Sequence, residues 1–595
     1  MAKIKNDNFL REALRMGSGP LMFAGVFSLI SNLLYLALPV YTNLVYSRVL
    51  LSQSGSTLLV LSLGVLFVFA VSAVIDIVRQ QVLIDFGVVF DRHVSGRVFA
   101  ALFDGVAKRR ISPRSQALRD LDQFRTMLTG QAVGILFDVP WIPIFILALF
   151  FINVWIGLVS LVGAMLLLLL AWMQDRATRH VYQKSLDQNL NSYAFIDAGL
   201  RNSEVVSALG MLQTLGEQWA GHRNLATGRS AEAQETQNKY SNAIKMLRMF
   251  VQIFIIAIGA WLIIQQKIPQ GMLFANMIVS ARAMQPIDRL VASWNSLMGG
   301  KAAYERVVAL LETYEPPPPA MQLPKPEGQL TVSQMGFAMP GAPRLLLSNI
   351  NFKLQPGETL GVMGQSGAGK STLSRLLVGV WRPFSGQVRL DGAEVYAWDR
   401  TEFGRHSGYL PQDVELFAGT VRENIARFRT DVSDAEVVAA AKLANAHELI
   451  LSLAKGYDTE LGDGGAVLSA GQRQRVGLAR ALFGDPSYVV LDEPNAALDA
   501  AGEEALMTAL ASLKARKVTV VIVSHKANIF RSADKILYLN DGQVGMFGPR
   551  DEVFARLSQS AAAIRPAPLQ APDSQSGGPS GAAPGKASGP QSEAV

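Results

Sequence analysis

At 595 residues the chain exceeds a single domain, for which about 150 residues is typical. Half of it is apolar and only 17% is charged, a balance that points away from an ordinary soluble protein and towards a membrane one. The formal charge of +7 suits anionic lipid and nucleic acid alike, while the absence of cysteine excludes disulfides, thiolate metal sites and cysteine nucleophiles.

Residues 1–19 carry Lys3, Lys5, Arg11 and Arg15 ahead of an apolar run from Pro20 to about Tyr46. That run is too long for a signal peptide and lacks a cleavage site, so it predicts a retained span. Further spans are predicted over residues 57–77, 132–151, 155–173 and 249–264, with a sixth from Met272 that Arg282 and Pro286 interrupt. Between the second and third spans lie Arg79, Arg92, Arg97, Lys108, Arg109 and Arg110, among others. Between the fourth and fifth lie Arg176, Arg179, Lys184 and Arg201. The opposite loops are short and nearly uncharged. The positive-inside rule therefore puts the N-terminus and both long connections in the cytoplasm. Each connection is long enough for two helical arms, tipped by short helices near residues 111–118 and 206–215.

Pro316, Pro317, Pro318 and Pro319 cannot lie inside a helix and mark a linker. The expected organisation is a cytoplasmic segment 1–19, a transmembrane domain 20–312, a linker 313–327, an α/β domain 328–557 and a disordered tail 558–595. The tail is Ala, Pro, Gly and Ser with few large apolar residues.

The α/β domain holds the clearest chemistry. Gly364, Gln365, Ser366, Gly367, Ala368, Gly369, Lys370, Ser371 and Thr372 form a GxxxxGKS loop between an apolar strand-like run and a helical one. In that context the glycines let backbone N–H groups turn inward around a phosphate. Lys370 reaches the β- and γ-phosphates and the Ser371 hydroxyl ligates Mg²⁺. The apolar run 487–491 ends in Asp492, suited to Mg²⁺, and Glu493, suited to polarising a water. Leu468, Ser469, Ala470, Gly471 and Gln472 precede a helix whose N-terminus can face a phosphate. Gln412 follows one strand-like run, and His525 closes another. Taken singly, Gln412 reads as a loop residue and His525 as a satisfied histidine.

In this order and spacing, together with Ala497, Leu498 and Asp499, the set resembles the nucleotide-binding domain of an ABC transporter. The resemblance implies ATP and Mg²⁺ as cofactors. It implies catalytic roles for Glu493, His525 and Gln412, and a metal site of Ser371, Gln412 and Asp492. Residues 364–372 with Ser469, Gly471, Gln472 and Asp499 would hold nucleotide. The signature departs from the family's LSGGQ at Ala470. Where many relatives stack a ring on adenine, the alignment gives Met339, with Phe337 as the other candidate to touch the base. Two such domains sandwich two ATPs in that family. One domain with six spans, a membrane α-helical exporter half joined to a cytoplasmic P-loop ATPase domain, therefore implies a homodimer.

In the membrane half, residues 118–125, 137–143, 208–211 and 281–287 resemble the type I secretion branch, in particular the ATPases that secrete alkaline proteases and RTX-type proteins. This implies an inner-membrane exporter of a protein with an uncleaved C-terminal signal. Its partners would be a periplasmic membrane-fusion adaptor, an outer-membrane channel, the secreted substrate and membrane lipid. The first span begins about twenty residues in and no cysteine exists, so export without leader processing is expected. Export of a lipid or small molecule is the alternative, since it uses the same nucleotide motifs. A channel or sensor without turnover fits less well, because Glu493 and His525 are both present. The spans exclude a soluble DNA-repair ATPase, and no nucleic-acid partner is expected. Arg282 lies ten residues beyond Met272, so a helix places it ~15 Å in, about half way through a ~30 Å hydrocarbon core. A guanidinium there avoids lipid. It is expected on the export path, with Asp138 as a candidate partner.

Overall fold

The computed structural model describes residues 2–108, 116–314, 323–339 and 344–564. The linker prolines 316–319, residues 109–115 of one arm tip and the tail beyond residue 564 lie outside them. The chain divides into two compact units, Met1–Pro316 and Pro317–Val595.

The first unit is all helix. Among the described residues, five helical stretches are long and apolar enough to cross a membrane: Ser18–Ser52, Gly55–Ala107, Gln116–Ile152, Val154–Arg201 and Leu212–Ile264. The predicted sixth span is the helix Gly271–Ala292. It does not reach the same hydropathy, because Arg282, Asp288 and Arg289 lie on it. Ala275, Val279, Ala283 and Ile287 repeat every four residues along its buried face, and the last three help to form the membrane unit's main apolar core. The interruption expected at Pro286 does not occur, and the helix runs through a buried proline. Its missing N–H is tolerated where neighbouring helices enclose the backbone.

The breaks fall elsewhere. The first span is divided into Ser18–Tyr35, Ala37–Leu44 and a π-helical turn Val45–Val49. The third is divided at Val139 and Pro140, between Gln131–Asp138 and Trp141–Ile152. The second, fourth and fifth spans instead continue unbroken well past a bilayer's thickness. Gly55–Ala107 and Leu212–Ile264 each run 53 residues, ~80 Å of helix. Val154–Arg201 lies against Leu212–Ile264, and the short helix Ser203–Ala208 joins them. An N-terminal helix, Ala2–Met16, buries Leu10 and Ala13 in a second core with Phe90, Val94 and Val307.

The second unit is α/β. Its antiparallel sheet has the order β2-β1-β4-β5, from β1 (Leu330–Ala338), β2 (Leu345–Leu354), β4 (Ser385–Leu390) and β5 (Ala393–Glu394). The larger sheet contains β3 (Thr359–Gly364), β6 (Ser407–Leu410), β7 (Tyr488–Asp492), β8 (Thr519–Val523), β9 (Lys535–Asn540) and β10 (Gln543–Pro549). Its order is β10-β9-β3-β8-β7-β6, parallel except for the β9–β10 hairpin. Every residue of β7 and β8 is buried, as expected of central parallel strands covered on both faces.

Candidate functional site

The carboxyl edge of the parallel sheet gathers the sequence-predicted residues. The loop after β3 leads into the helix Lys370–Leu377, and Ser524 and His525 follow β8. Asp492 and Glu493 end β7, and Gln412 lies two residues beyond β6. Parallel strands place their ends on one side, where ligands of open α/β sheets bind.

The loop itself demands glycine. At Gly364 a Cβ would run into the Leu539 carbonyl oxygen, and Gly367 holds φ +82°. Lys370 Nζ donates to the carbonyl oxygens of Gly364 (3.0 Å) and Gln365 (2.9 Å), closing the loop over itself. Burial pulls the Lys370 ammonium below its ordinary range, against the upward pull of Glu493 and Asp492. The ammonium is thus tied only to carbonyl dipoles, which a phosphate can replace with full charges.

Asp492 is 1% exposed, and both of its carboxylate oxygens are buried without a hydrogen bond. Burial pushes its carboxyl up, an effect that the nearby Ser371 hydroxyl and the Arg375 guanidinium oppose. Ser371 Oγ also lies 3.4 Å from Gln412 Oε1. The cluster is therefore an all-oxygen donor set of carboxylate, hydroxyl and amide, the kind that suits a hard divalent cation. Next to it, Glu493 sits at φ +49° with its N–H on Val523 O (2.8 Å). Its Oε1 lies 3.0 Å from His525 Nε2. Gln474 Nε2 donates to Pro494 O at 3.1 Å, fixing the turn beyond Glu493.

Ser469 and Gln472 form a reciprocal capping box at the start of the helix Ala470–Leu482. Ser469 N donates to Gln472 Oε1 (2.9 Å) and Gln472 N to Ser469 Oγ (3.3 Å). Gly471 is packed so closely that a Cβ would lie 3.0 Å from Ala497 O. Asp499 in turn caps the helix Ala500–Ala515 through Gly502 N (2.8 Å) and lies 3.3 Å from Arg475. Among the described residues, no hydrogen bond or ion pair joins Ser469, Gly471 or Gln472 to the loop 364–372. The fold thus links the loop to Gln412 through Ser371 but, among the described residues, ties it by no such bond to the LSAGQ stretch.

Phe337 cannot reach a base. It is buried and stacks on Trp381 with ring centroids 5.1 Å apart, while Met339 stays partly exposed at the end of β1. Arg375, not singled out from the sequence, lies 4.9 Å from the Trp381 ring and acts on Asp492. Its place four residues after Ser371, on the same face of the helix, was the available signal.

Residues 347–496 match the ABC transporter family and residues 21–287 the ABC transporter transmembrane region. The type I secretion system ATP-binding protein PrsD of Rhizobium meliloti (strain 1021) is 39% identical over 546 residues, 92% of this chain and 94% of PrsD. The chain belongs to the type I secretion ABC transporters. The cyclolysin secretion/processing ATP-binding protein CyaB of Bordetella pertussis is 30% identical, over 89% of the transporter and 75% of CyaB. A bacterial Atm1-family ABC exporter with ATP bound shares the fold, with a TM-score of 0.80 at 22% identity over 93% of the transporter and 99% of that chain. The transporter is thus a membrane-embedded exporter that binds and hydrolyses ATP.

Its membrane unit holds a second polar cluster. Asp138 is buried and accepts from Ser28 Oγ (2.9 Å), Asn32 Nδ2 (3.2 Å) and Arg79 Nη1 (3.4 Å), with Arg289 at 3.9 Å. Arg79 also meets Asp76 (3.5 Å), which accepts from Ser31 Oγ (3.0 Å) and Tyr35 Oη (3.4 Å). The expected direct pair of Arg282 with Asp138 is absent. Arg282 Nη2 instead donates to Asn32 Oδ1 (3.4 Å), and Asn32 stands between the two. Ser28, Ser31, Asn32 and Tyr35 were not picked out from the sequence. Their i, i+3, i+4, i+7 spacing along an apolar run puts them on one face and was the signal.

Proposed function

We propose that the transporter works as a homodimer in a bacterial inner membrane and exports a protein carrying an uncleaved C-terminal signal. A periplasmic membrane-fusion adaptor and an outer-membrane channel would receive that protein. The observation that carries this reading is the similarity along nearly the whole of PrsD, a type I secretion protein by name, joined by CyaB, named for cyclolysin secretion.

In this reading the separated halves of the nucleotide site meet across the dimer. The loop 364–372 of one copy faces Ser469 and Gly471 of the other, with Asp499 beside them. Ser371, Gln412 and Asp492 would hold Mg²⁺, which the orphaned Asp492 carboxylate fits. When bound, that ion supplies charge neutralisation at the β- and γ-phosphates. Lys370 leaves its two carbonyl acceptors for the phosphates. Glu493 takes up the proton side of the attacking water, and His525, held 3.0 Å from it, fixes its orientation and contacts the γ-phosphate. Gln472 acts through Ser469, whose backbone it caps. Closure of the dimer around two ATPs would need a differential binding of roughly 5.5 kcal/mol to invert a 1:99 equilibrium.

A complementation test addresses the shared site. Lys370→Ala and Ser469→Arg each disable both sites of a homodimer, whereas their heterodimer carries both lesions in one site and neither in the other. Co-expression should restore part of the ATPase activity. No recovery, with the heterodimer isolated through two affinity tags, would count against a shared site. The cargo is tested in proteoliposomes, where a protein with a C-terminal signal should stimulate turnover and labelled lipid or a small molecule should not.

A further inference from the structure

A cavity of about 430 Å³ opens beside Arg282 in the membrane unit, walled by Tyr35, Phe69, Phe145 and Met277, with Gln252, Gln285 and the Asp288-paired Arg248 as further polar groups. A second, of about 420 Å³, surrounds Asp76, Arg79, Asp138 and Arg289. Four arginines line the two. Three have a carboxylate within 4 Å: Arg79 has Asp76 and Asp138, Arg248 has Asp288 (2.8 Å) and Arg289 has Asp138. Arg282 is the exception among the described residues. Its guanidinium lies 3.7 Å from the Tyr35 ring centroid and donates to Gln285 Oε1 (2.6 Å) and Asn32 Oδ1 (3.4 Å), all neutral groups. Those two bonds occupy two of its five N–H donors.

A guanidinium held within the membrane unit with no carboxylate within 4 Å, beside a cavity and with donors to spare, is a site for an anion. The surrounding walls are aromatic and aliphatic, so the anion arrives on an apolar body. Resting on the reading that the cargo is a polypeptide, we infer that Arg282 and its cavity form a carboxylate-selective subsite that grips Asp or Glu side chains of the exported chain. The planar guanidinium matches a carboxylate through two parallel hydrogen bonds, and Tyr35 holds it flat for that contact. The cavity has room for a few side chains, and it falls at the lower end of the size of small-ligand pockets, which disfavours the two acyl chains and headgroup of a phospholipid. Asp138, whose Oδ1 already takes three donors, anchors the neighbouring helices.

The test uses the full-length transporter in nanodiscs and two fluorescent, unstructured peptides of Gly, Ser and Leu. One carries several Glu residues and its twin carries Gln at the same positions. Anisotropy titration should give an affinity for the Glu peptide about tenfold above that for its twin, as one charge-assisted pair predicts. Arg282→Gln should erase the difference, and Arg282→Lys should keep part of it. Equal affinities for the two peptides on the unmodified transporter overturn the subsite, and that comparison needs no variant to fold. Binding of neither peptide overturns the polypeptide reading itself. A preference that vanishes in nanodiscs without anionic lipid, with Arg282→Gln altering lipid binding instead, assigns the cavity to lipid and refutes the proposal.

Discussion

Two buried aspartates, one in each unit, are treated in opposite ways. Asp138 has three hydrogen-bond donors and a second arginine around it, all supplied by side chains of three other helices. Asp492 is buried more deeply and has no hydrogen bond to either oxygen. An ionised carboxylate taken out of water is tolerated only when paired, or when a cation completes it. The satisfied aspartate therefore reads as framework and the orphaned one as part of a site. Arg282 and its paired neighbours repeat the same contrast with the sign of the charge reversed.

Glu493→Gln should show the largest effect. Turnover should fall roughly 10²- to 10⁴-fold while ATP still binds, since the amide cannot take a proton. Phosphate release together with nucleotide binding checks it, and wild-type turnover would take the general-base role away from Glu493. The two aspartates are compared next, by thermal unfolding of the nucleotide-free protein in detergent. Asp138→Ala should destabilise the membrane unit by about 3–5 kcal/mol, because Arg79 and Arg289 lose their shared acceptor. Asp492→Asn should leave stability unchanged or raise it. Its carboxyl is pushed up in the folded state, so ionisation at neutral pH costs stability that the amide does not. The same variant should lose any stabilisation by Mg²⁺ added with ATP. If both substitutions destabilise alike, the contrast between framework and site collapses. Smallest is Ser469→Ala, which removes a helix cap worth about 1 kcal/mol. Amide exchange in the helix Ala470–Leu482 should quicken at its first turn and nowhere else in the ATPase unit.

The ATP-handling half of the molecule was legible because its chemistry is written in contiguous motifs. The GxxxxGKS loop, the two acids after an apolar strand and the LSAGQ stretch each name their residues and their strand end together. The ring around Asp138 was not, since it takes one or two polar residues from each of four helices that only packing brings together. Arg282 was picked out as a misfit in an apolar run, yet its partner on another helix, Asn32, is 250 residues away in sequence. Of the two adenine candidates, Phe337 is buried for a local reason. Gln334 sits at φ +46° where the β1–β2 register shifts, so the alternation of faces slips within β1 and Phe337 turns inward. The sixth span shows a third cause. Its charged residues lower its hydropathy while its small and apolar residues on the other face bury it.

The uninterrupted helix Gly55–Ala107 makes the span and the stretch that continues beyond it a single rod. Bending such a rod means breaking its own ladder of hydrogen bonds, whereas pivoting it breaks none. A pivot of about 5° at one end sweeps the other through roughly 7 Å over ~80 Å of helix. The first and third spans, already hinged at Leu36 and Pro140, have the joints to yield as that rod swings. A stiff helix beside jointed ones is the geometry of a lever, in which a small displacement near the pivot is matched by a larger one at the far end.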